Sequence, residues 1–186
     1  MNNKTFNPKK NRDMKLSKQK ITPFLWFTME CEEAVNFYID VFNNAPHSRK
    51  KSKLHSIQRY EKGINTPNAE KMWGKVLTAE FELEGILFQA LDGGIDFPFN
   101  ESISLLVECE DQEEVDYYWN VFTQDGGKES MCGWLKDKYG LSWQIVPKRL
   151  SELLGHPDRE KAHHAANAML QMKKIEIADL EKAFNQ

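Results

Sequence analysis

The chain carries one helical pattern twice. "AVNFYIDVF" (34–42) and, about 80 residues later, "EVDYYWNVF" (114–122) share the order apolar, polar, aromatic, aromatic, and both end on Val-Phe. Apolar residues recur at helical spacing in each: Val35, Tyr38, Ile39 and Phe42, then Val115, Tyr118, Trp119 and Phe122. Each helix follows a short apolar stretch, "ITPFLWF" or "ISLLVECE", and precedes further strand-like segments. A unit of this size buries too little apolar surface to stand alone, so the two copies must share a core.

The segments between the helices fill in the repeat. "GKVLTAEFELEG" alternates with the period of a strand, Gly85 marks a tight turn, and "ILFQALDGG" returns as its partner. "HSRKKSKLHSIQRY" is polar and fits an exposed strand or part of a loop. In the second copy Asp111 is placed to cap the helix with Glu114 three residues on, and Gly126-Gly127 stops it. "KESMCGWLKDKYG" and "LSWQIVP" then form a closing hairpin, with Cys132 expected in its first strand. From Lys148 the pattern turns helical, with Gly155 and Pro157 dividing two helices. Ala166, Met169, Leu170 and Ile175 form an apolar stripe suited to a sheet edge or a dimer contact. The expected organisation is a basic, disordered tail over 1–20, paired modules over 21–147 (about 21–94 and 103–147), and a helical extension over 148–186.

Composition removes several classes of function. The net charge of −3 gives no pull toward nucleic acid or a membrane surface. No apolar run approaches the ~20 residues of a spanning helix, and the first twenty residues lack the apolar core of a secretory signal. Cys31, Cys109 and Cys132 are odd in number and far apart, which fits reduced thiols in the cytoplasm better than a disulfide framework. His47, His55, His156, His163 and His164 show no metal-binding spacing, and a solvated histidine accounts for each better than a ligand. There is no nucleophile elbow, P-loop or dinucleotide fingerprint.

The doubled β-α-β-β-β order resembles the glyoxalase/bleomycin resistance/dioxygenase, or vicinal oxygen chelate, superfamily. More closely it resembles the PhnB-like branch, commonly labelled after 3-demethylubiquinone-9 3-methyltransferase. The resemblance rests on "ITPFLWF", "EEAVNFYIDVF", "FELEGILFQALDGG", "FPFNESISLLVECEDQEEVDYYW", "GGKESMCGWLKDKYGLSWQIVP" and "MKKIEIADLEKAF". It implies an α+β fold in which two modules form a glyoxalase-like open barrel around a pocket. Metal-dependent members place His, Glu, His and Glu on the first and last strands of the two modules. Carried over by motif, those positions fall on Pro23, Gln89, Ser102 and Gln144. Proline offers no side-chain ligand and neutral amides are weak donors to Zn, Mn or Fe, so the expectation is no metal and no cofactor. The methyltransferase label finds no support in the residues, which lack the Gly-rich loop of common S-adenosylmethionine enzymes.

If the four equivalent positions face inward, alternation brings Leu25, Phe27, Leu87, Leu91, Ser104, Leu106, Ser142 and Val146 in with them. The expected ligand-binding set is Phe27, Gln89, Leu91, Ser102, Ser104, Trp134 and Gln144. This is an apolar bowl with a few directional anchors, suited to a small, partly apolar molecule. Filled-core packing of the same glutamines and serines stands beside that reading. The leading expectation is a cytoplasmic, metal-free binding protein, acting as a homodimer. The alternatives are a metal-dependent lyase or dioxygenase with non-standard ligands, and a structural or interaction protein.

Overall fold

The computed structural model describes residues 19–66 and 68–186. The tail expected over 1–20 lies outside these residues except for its last two. The first half runs β1 (Phe24–Phe27), α1 (Cys31–Asn44), β2 (Lys53–Arg59), a short α2 (Ala69–Met72), β3 (Val76–Leu83) and β4 (Ile86–Asp92). The second runs β5 (Leu105–Cys109), α3 (Gln112–Thr123), β6 (Lys128–Glu129), β7 (Trp134–Lys136) and β8 (Ser142–Pro147). Three helices follow: α4 (Lys148–Leu154), α5 (Arg159–Met169) and α6 (Ile177–Phe184).

The two sheets have matching orders, β1-β4-β3-β2 and β5-β8-β7-β6. In each, the first strand pairs parallel with the last and the remaining pairs are antiparallel. The chain is therefore an α+β protein of two β-α-β-β-β modules with C-terminal helices. No helix among the described residues is long and apolar enough to cross a membrane.

The two helix starts solve the same problem differently. The first N–H groups of a helix have no partner inside it. In α3 the Asp111 carboxylate accepts from Glu114 N–H (3.0 Å), while the Glu114 carboxylate reaches back to Glu110 N–H (2.6 Å). The first bond is the cap expected from the sequence; the return bond lands one residue early, on Glu110 and not on the N-cap Asp111. No local side chain caps α1; instead Asp92, at the end of β4, accepts from Cys31 N–H (2.8 Å) and from Val76 N–H (3.0 Å).

Removing the cap of α3 should be measurable. Asp111→Ala should cost about 1 kcal/mol in a denaturation experiment at neutral pH. The Glu114 N–H bond holds the Asp111 carboxyl below its ordinary range. Its contribution is therefore present above the unfolded pKa and is lost as pH falls through the folded one, so the variant and the parent should converge in acid.

The β3–β4 turn uses Glu84 (φ 48°) and Gly85 (φ 88°), the left-handed pair that a two-residue hairpin requires. Glutamate is an uncommon choice there, and its carboxylate has local work. It accepts from Ser48 Oγ (2.8 Å), Arg49 N–H (3.1 Å) and Lys50 N–H (3.0 Å), fastening the loop after α1.

Both helices and the helix-facing sides of both sheets share one core. Phe42 of α1 meets Tyr118 and Phe122 of α3, and Trp143 of β8 stacks on Phe122 with ring centroids 4.5 Å apart. Asp137, in the β7–β8 turn, lies inside this aromatic layer. It accepts from Tyr38 Oη and Trp143 Nε1 (both 2.8 Å), Tyr139 N–H (2.9 Å) and Leu141 N–H (3.1 Å). Burial raises the Asp137 carboxyl, and the four donors work against that rise.

The C-terminal helices form a separate cluster around Leu150, Leu153, Ala165, Ile175, Leu180 and Phe184, with Val146 of β8 packed against it. Three sequence expectations change here. The final segment makes two helices, α5 and α6, because 170–176 breaks the run. Leu170, expected in the apolar stripe, is largely exposed, and Ala162 and Ala165 take the buried face. Cys132 is in a turn, not a strand, with φ 59° beside Gly133 at 81°. The glycine of "CGWLKDKYGLSWQIVP" thus answers to backbone shape, while Cys132 takes up a left-handed φ that cysteine does not favour.

Candidate functional site

The faces of the two sheets turned away from α1 and α3 hold most of the expected site. On β8, Gln144 is the register partner of Leu106 on one side and Trp134 on the other. Its Nε2 donates to Ser104 Oγ at 2.8 Å, so the structure brings Gln144, Ser104 and Trp134 together. Gln144 and Trp134 are half-buried, and Leu106 beside them is 57% exposed. Leu106 is a large apolar side chain left in solvent next to a fixed amide.

Sheet one presents the related arrangement. Gln89 of β4 pairs in register with Phe24 of β1 and Glu80 of β3, and Leu91 pairs with Trp26. Gln89 N–H also donates to Pro23 O at 3.0 Å. Phe24 is 47% exposed, while Trp26 is held by Nε1 donating to Ile95 O (2.9 Å) and by packing on Phe97.

Here the expected wall is corrected. Phe27 does not share the face of Gln89; it points into the helix-side core, 3% exposed, edge-on to Phe99 and Tyr139. Leu25 is buried with it, so Phe24 and Trp26 line the outer face. Both phases of "FLWF" are apolar, so hydrophobic alternation could not choose between them. Ser102 is also displaced: it lies in an exposed turn before β5, its N–H bonded to Asn100 Oδ1 (2.9 Å). Ser104 is the serine that meets Gln144. Ser142 is fully buried beneath the linker, with Oγ on Asn100 O at 3.3 Å.

These residues do not fit a metal ion. Pro23, Gln89, Ser102 and Gln144 carry no imidazole, thiolate or carboxylate, and shifting the set to the actual register neighbours Phe24 and Ser104 adds none. Among the described residues no three His, Cys, Asp or Glu side chains converge as a metal would need. His47 and His55 are paired at the surface with Asp111 (2.9 Å) and Glu82 (3.0 Å). His164 departs from the solvated expectation, since its Nδ1 is buried with no partner among the described residues. Nucleophilic chemistry is equally unsupported at two of the three thiols. Burial pushes Cys31 up to about 12 and raises Cys109 as well.

One concavity sequence reasoning missed lies at the end of β1. It encloses about 410 Å³ between Trp26, Phe97, Phe99 and the carboxylates of Glu30, Glu33, Asp96 and Asp125. Glu33 is already engaged by Lys138 Nζ (3.0 Å) and Tyr139 Oη (2.8 Å). The linker that supplies Phe97 and Phe99 carries no periodic signal, which is why this wall was invisible in the sequence.

Comparison with known proteins agrees with this arrangement. Residues 19–146 match the family described as 3-demethylubiquinone-9 3-methyltransferase. A solved Bacillus cereus protein, described as a putative 3-demethylubiquinone-9 3-methyltransferase, PhnB protein, is 35% identical. The match covers 69% of this chain and 99% of that one, with a TM-score of 0.58. Protein PA1353 from Pseudomonas aeruginosa is 16% identical over 69% of this chain and 97% of its own, with a TM-score of 0.54, a likeness of fold. No curated protein matches the chain. The chain belongs to the 3-demethylubiquinone-9 3-methyltransferase family, the PhnB-like branch of the vicinal oxygen chelate superfamily.

Proposed function

We propose that this protein binds a small, partly apolar organic molecule without a metal, on the sheet faces that carry Gln89 and Gln144. The observation that carries the reading is the Gln144–Ser104 bond beside exposed Leu106, with Gln144 at a position to which the resemblance assigns a ligand in metal-dependent members. A fixed amide among apolar side chains orients a ligand through one or two directional hydrogen bonds, while burial of apolar area supplies the affinity. Gln89, flanked by Leu91 and Phe24, plays the same part on the first sheet. Trp134 supplies a ring face beside Gln144.

A second copy of the chain is the proposed cover for these faces. Phe24 and Leu106 occupy related positions on the first strands of the two modules, and both are exposed. The reduced thiols suit a cytoplasmic location.

The test uses ligand that survives purification. In a native mass spectrum, Gln89→Ala and Gln144→Ala should each retain roughly five- to tenfold less non-covalent adduct than the parent, as loss of a hydrogen bond of about 1 kcal/mol or slightly more implies. Both positions are half-buried, so melting temperature should change little. Adduct retained in full by both variants would remove these residues from the site.

A further inference from the structure

We propose that the cleft between the two modules is a second ligand site, one that takes a neutral aromatic molecule carrying a single hydroxyl group. The cleft encloses about 500 Å³ where β5, an edge strand, faces the β3–β4 turn and the start of β1. Phe42, Phe88, Val107 and Trp143 line it, and all four belong to the shared core, so it reaches from the surface into the aromatic layer. Neither Gln89 nor Gln144 lines it, although Ser104 and Leu106, assigned above to the Gln144 neighbourhood, and Pro23 border it. The inference therefore does not rest on the proposed function.

Two buried polar groups interrupt the apolar wall. Tyr118 is 2% exposed and Glu114 is 5% exposed. The other four tyrosines donate to a partner: Tyr38 to Asp137, Tyr60 to Asp92 O, Tyr117 to Val41 O and Tyr139 to Glu33. The Tyr118 hydroxyl bonds to none of the described residues. It is not sealed in the protein: among the described residues the fully enclosed side-chain atom without a partner is His164 Nδ1, so the Tyr118 hydroxyl opens onto the cleft that Tyr118 lines. Glu114 is its complement. One oxygen accepts from Glu110 N–H, and the other accepts from no described residue.

Glu114 and Tyr118 are four residues apart on α3, so they stand on one face of successive turns. A donor lacking an acceptor thus lies beside an acceptor lacking a donor. One ligand hydroxyl satisfies both, accepting from Tyr118 and donating to Glu114, while an aromatic body fills the ring-lined space.

Charge argues for neutrality. Arg49 and His47 at the rim are engaged by Glu110 and Asp111, and the lining sets Arg49 and Lys50 against the carboxylates of Glu84, Glu108 and Glu114. An anionic group driven inward would meet the Glu114 carboxylate, and a desolvated cation would give up its hydration in an apolar wall.

The probes are 2-naphthol, its methyl ether and naphthalene-2-sulfonate, titrated calorimetrically into the full chain and into Tyr118→Phe. The parent should bind one 2-naphthol, with intermolecular NOEs to Val107 and Trp143. Tyr118→Phe should bind it about fivefold more weakly, and the parent should bind the methyl ether and the sulfonate more weakly by at least that factor. The ether comparison uses the parent alone, so the proposal stays testable if the variant does not fold. Equal binding of 2-naphthol by parent and variant, equal binding of 2-naphthol and its ether, or no binding of 2-naphthol at millimolar concentration would each overturn it. Any of these results leaves the Gln89 and Gln144 site untouched.

Discussion

Asp137→Ala should lower stability by about 3–5 kcal/mol, the largest loss expected from any single polar substitution in this chain. For a domain of this size that is roughly 10–15 °C in melting temperature. The carboxylate is 2% exposed and accepts from four donors, two of them buried aromatic side chains. Alanine leaves the Tyr38 hydroxyl and the Trp143 indole N–H without an acceptor in the core, and the β7–β8 turn loses the bonds that close it. Because Tyr38 belongs to the first module and Asp137 to the second, the loss also loosens the module junction. Asp137→Asn, which keeps one acceptor oxygen in place, should recover about half of the deficit by the order of magnitude of one or two buried hydrogen bonds. Urea denaturation of the three proteins measures both quantities. An alanine variant within 1 kcal/mol of the parent would mean that the four bonds are not a structural junction.

Gly133→Val should cost about 2–4 kcal/mol, for a reason that burial alone would not suggest. Gly133 has φ 81°, and a Cβ there would lie 2.8 Å from Ile145 O and 3.2 Å from Ile175 Cγ1. The same short segment docks the C-terminal helices. Cys132 N–H donates to Met172 O and Gly133 N–H to Lys173 O, both at 2.7 Å, while Gly133 O accepts from Ile145 N–H at 2.8 Å. Widening it pushes α5 and α6 off the second sheet. Limited proteolysis should therefore cut the C-terminal helices of the variant well before the modules. Gly126→Ala is the control: its φ is 108° but a Cβ meets nothing within 4 Å, so only the backbone strain of about 1–2 kcal/mol remains.

What the sequence disclosed follows from the range of the interactions involved. The α3 cap, the β3–β4 hairpin and the helical stripes depend on residues a few positions apart, and a linear reading reaches them. The phase of β1 was not legible, because Phe24-Leu25-Trp26-Phe27 is apolar on both faces, and the structure buries Leu25 and Phe27 where the alternation argument had put the pocket. The motif carry-over lands on Ser102, but the strand begins only at Leu105, so Ser102 stays in the preceding turn. The Tyr38–Asp137 bond joins residues 99 apart, and nothing in "LKDKYG" distinguishes that aspartate from a solvated turn residue. The cleft carrying Tyr118 was hidden for the same reason, since it exists only where β5 meets the β3–β4 turn. Helical spacing places Tyr118 on a core face, which is correct for its ring and silent about its hydroxyl.

On the proposed function, amides in this protein hold an organic molecule where metal-dependent members of the superfamily hold an ion. Metal content and the native mass spectrum of one untagged, unchelated sample test it most directly. Zn, Mn, Fe and Ni should each lie far below one per chain, with a non-covalent adduct of small-molecule mass that is lost on denaturation. Near-stoichiometric metal that a chelator removes, and whose removal lowers the melting temperature, would contradict the proposed function.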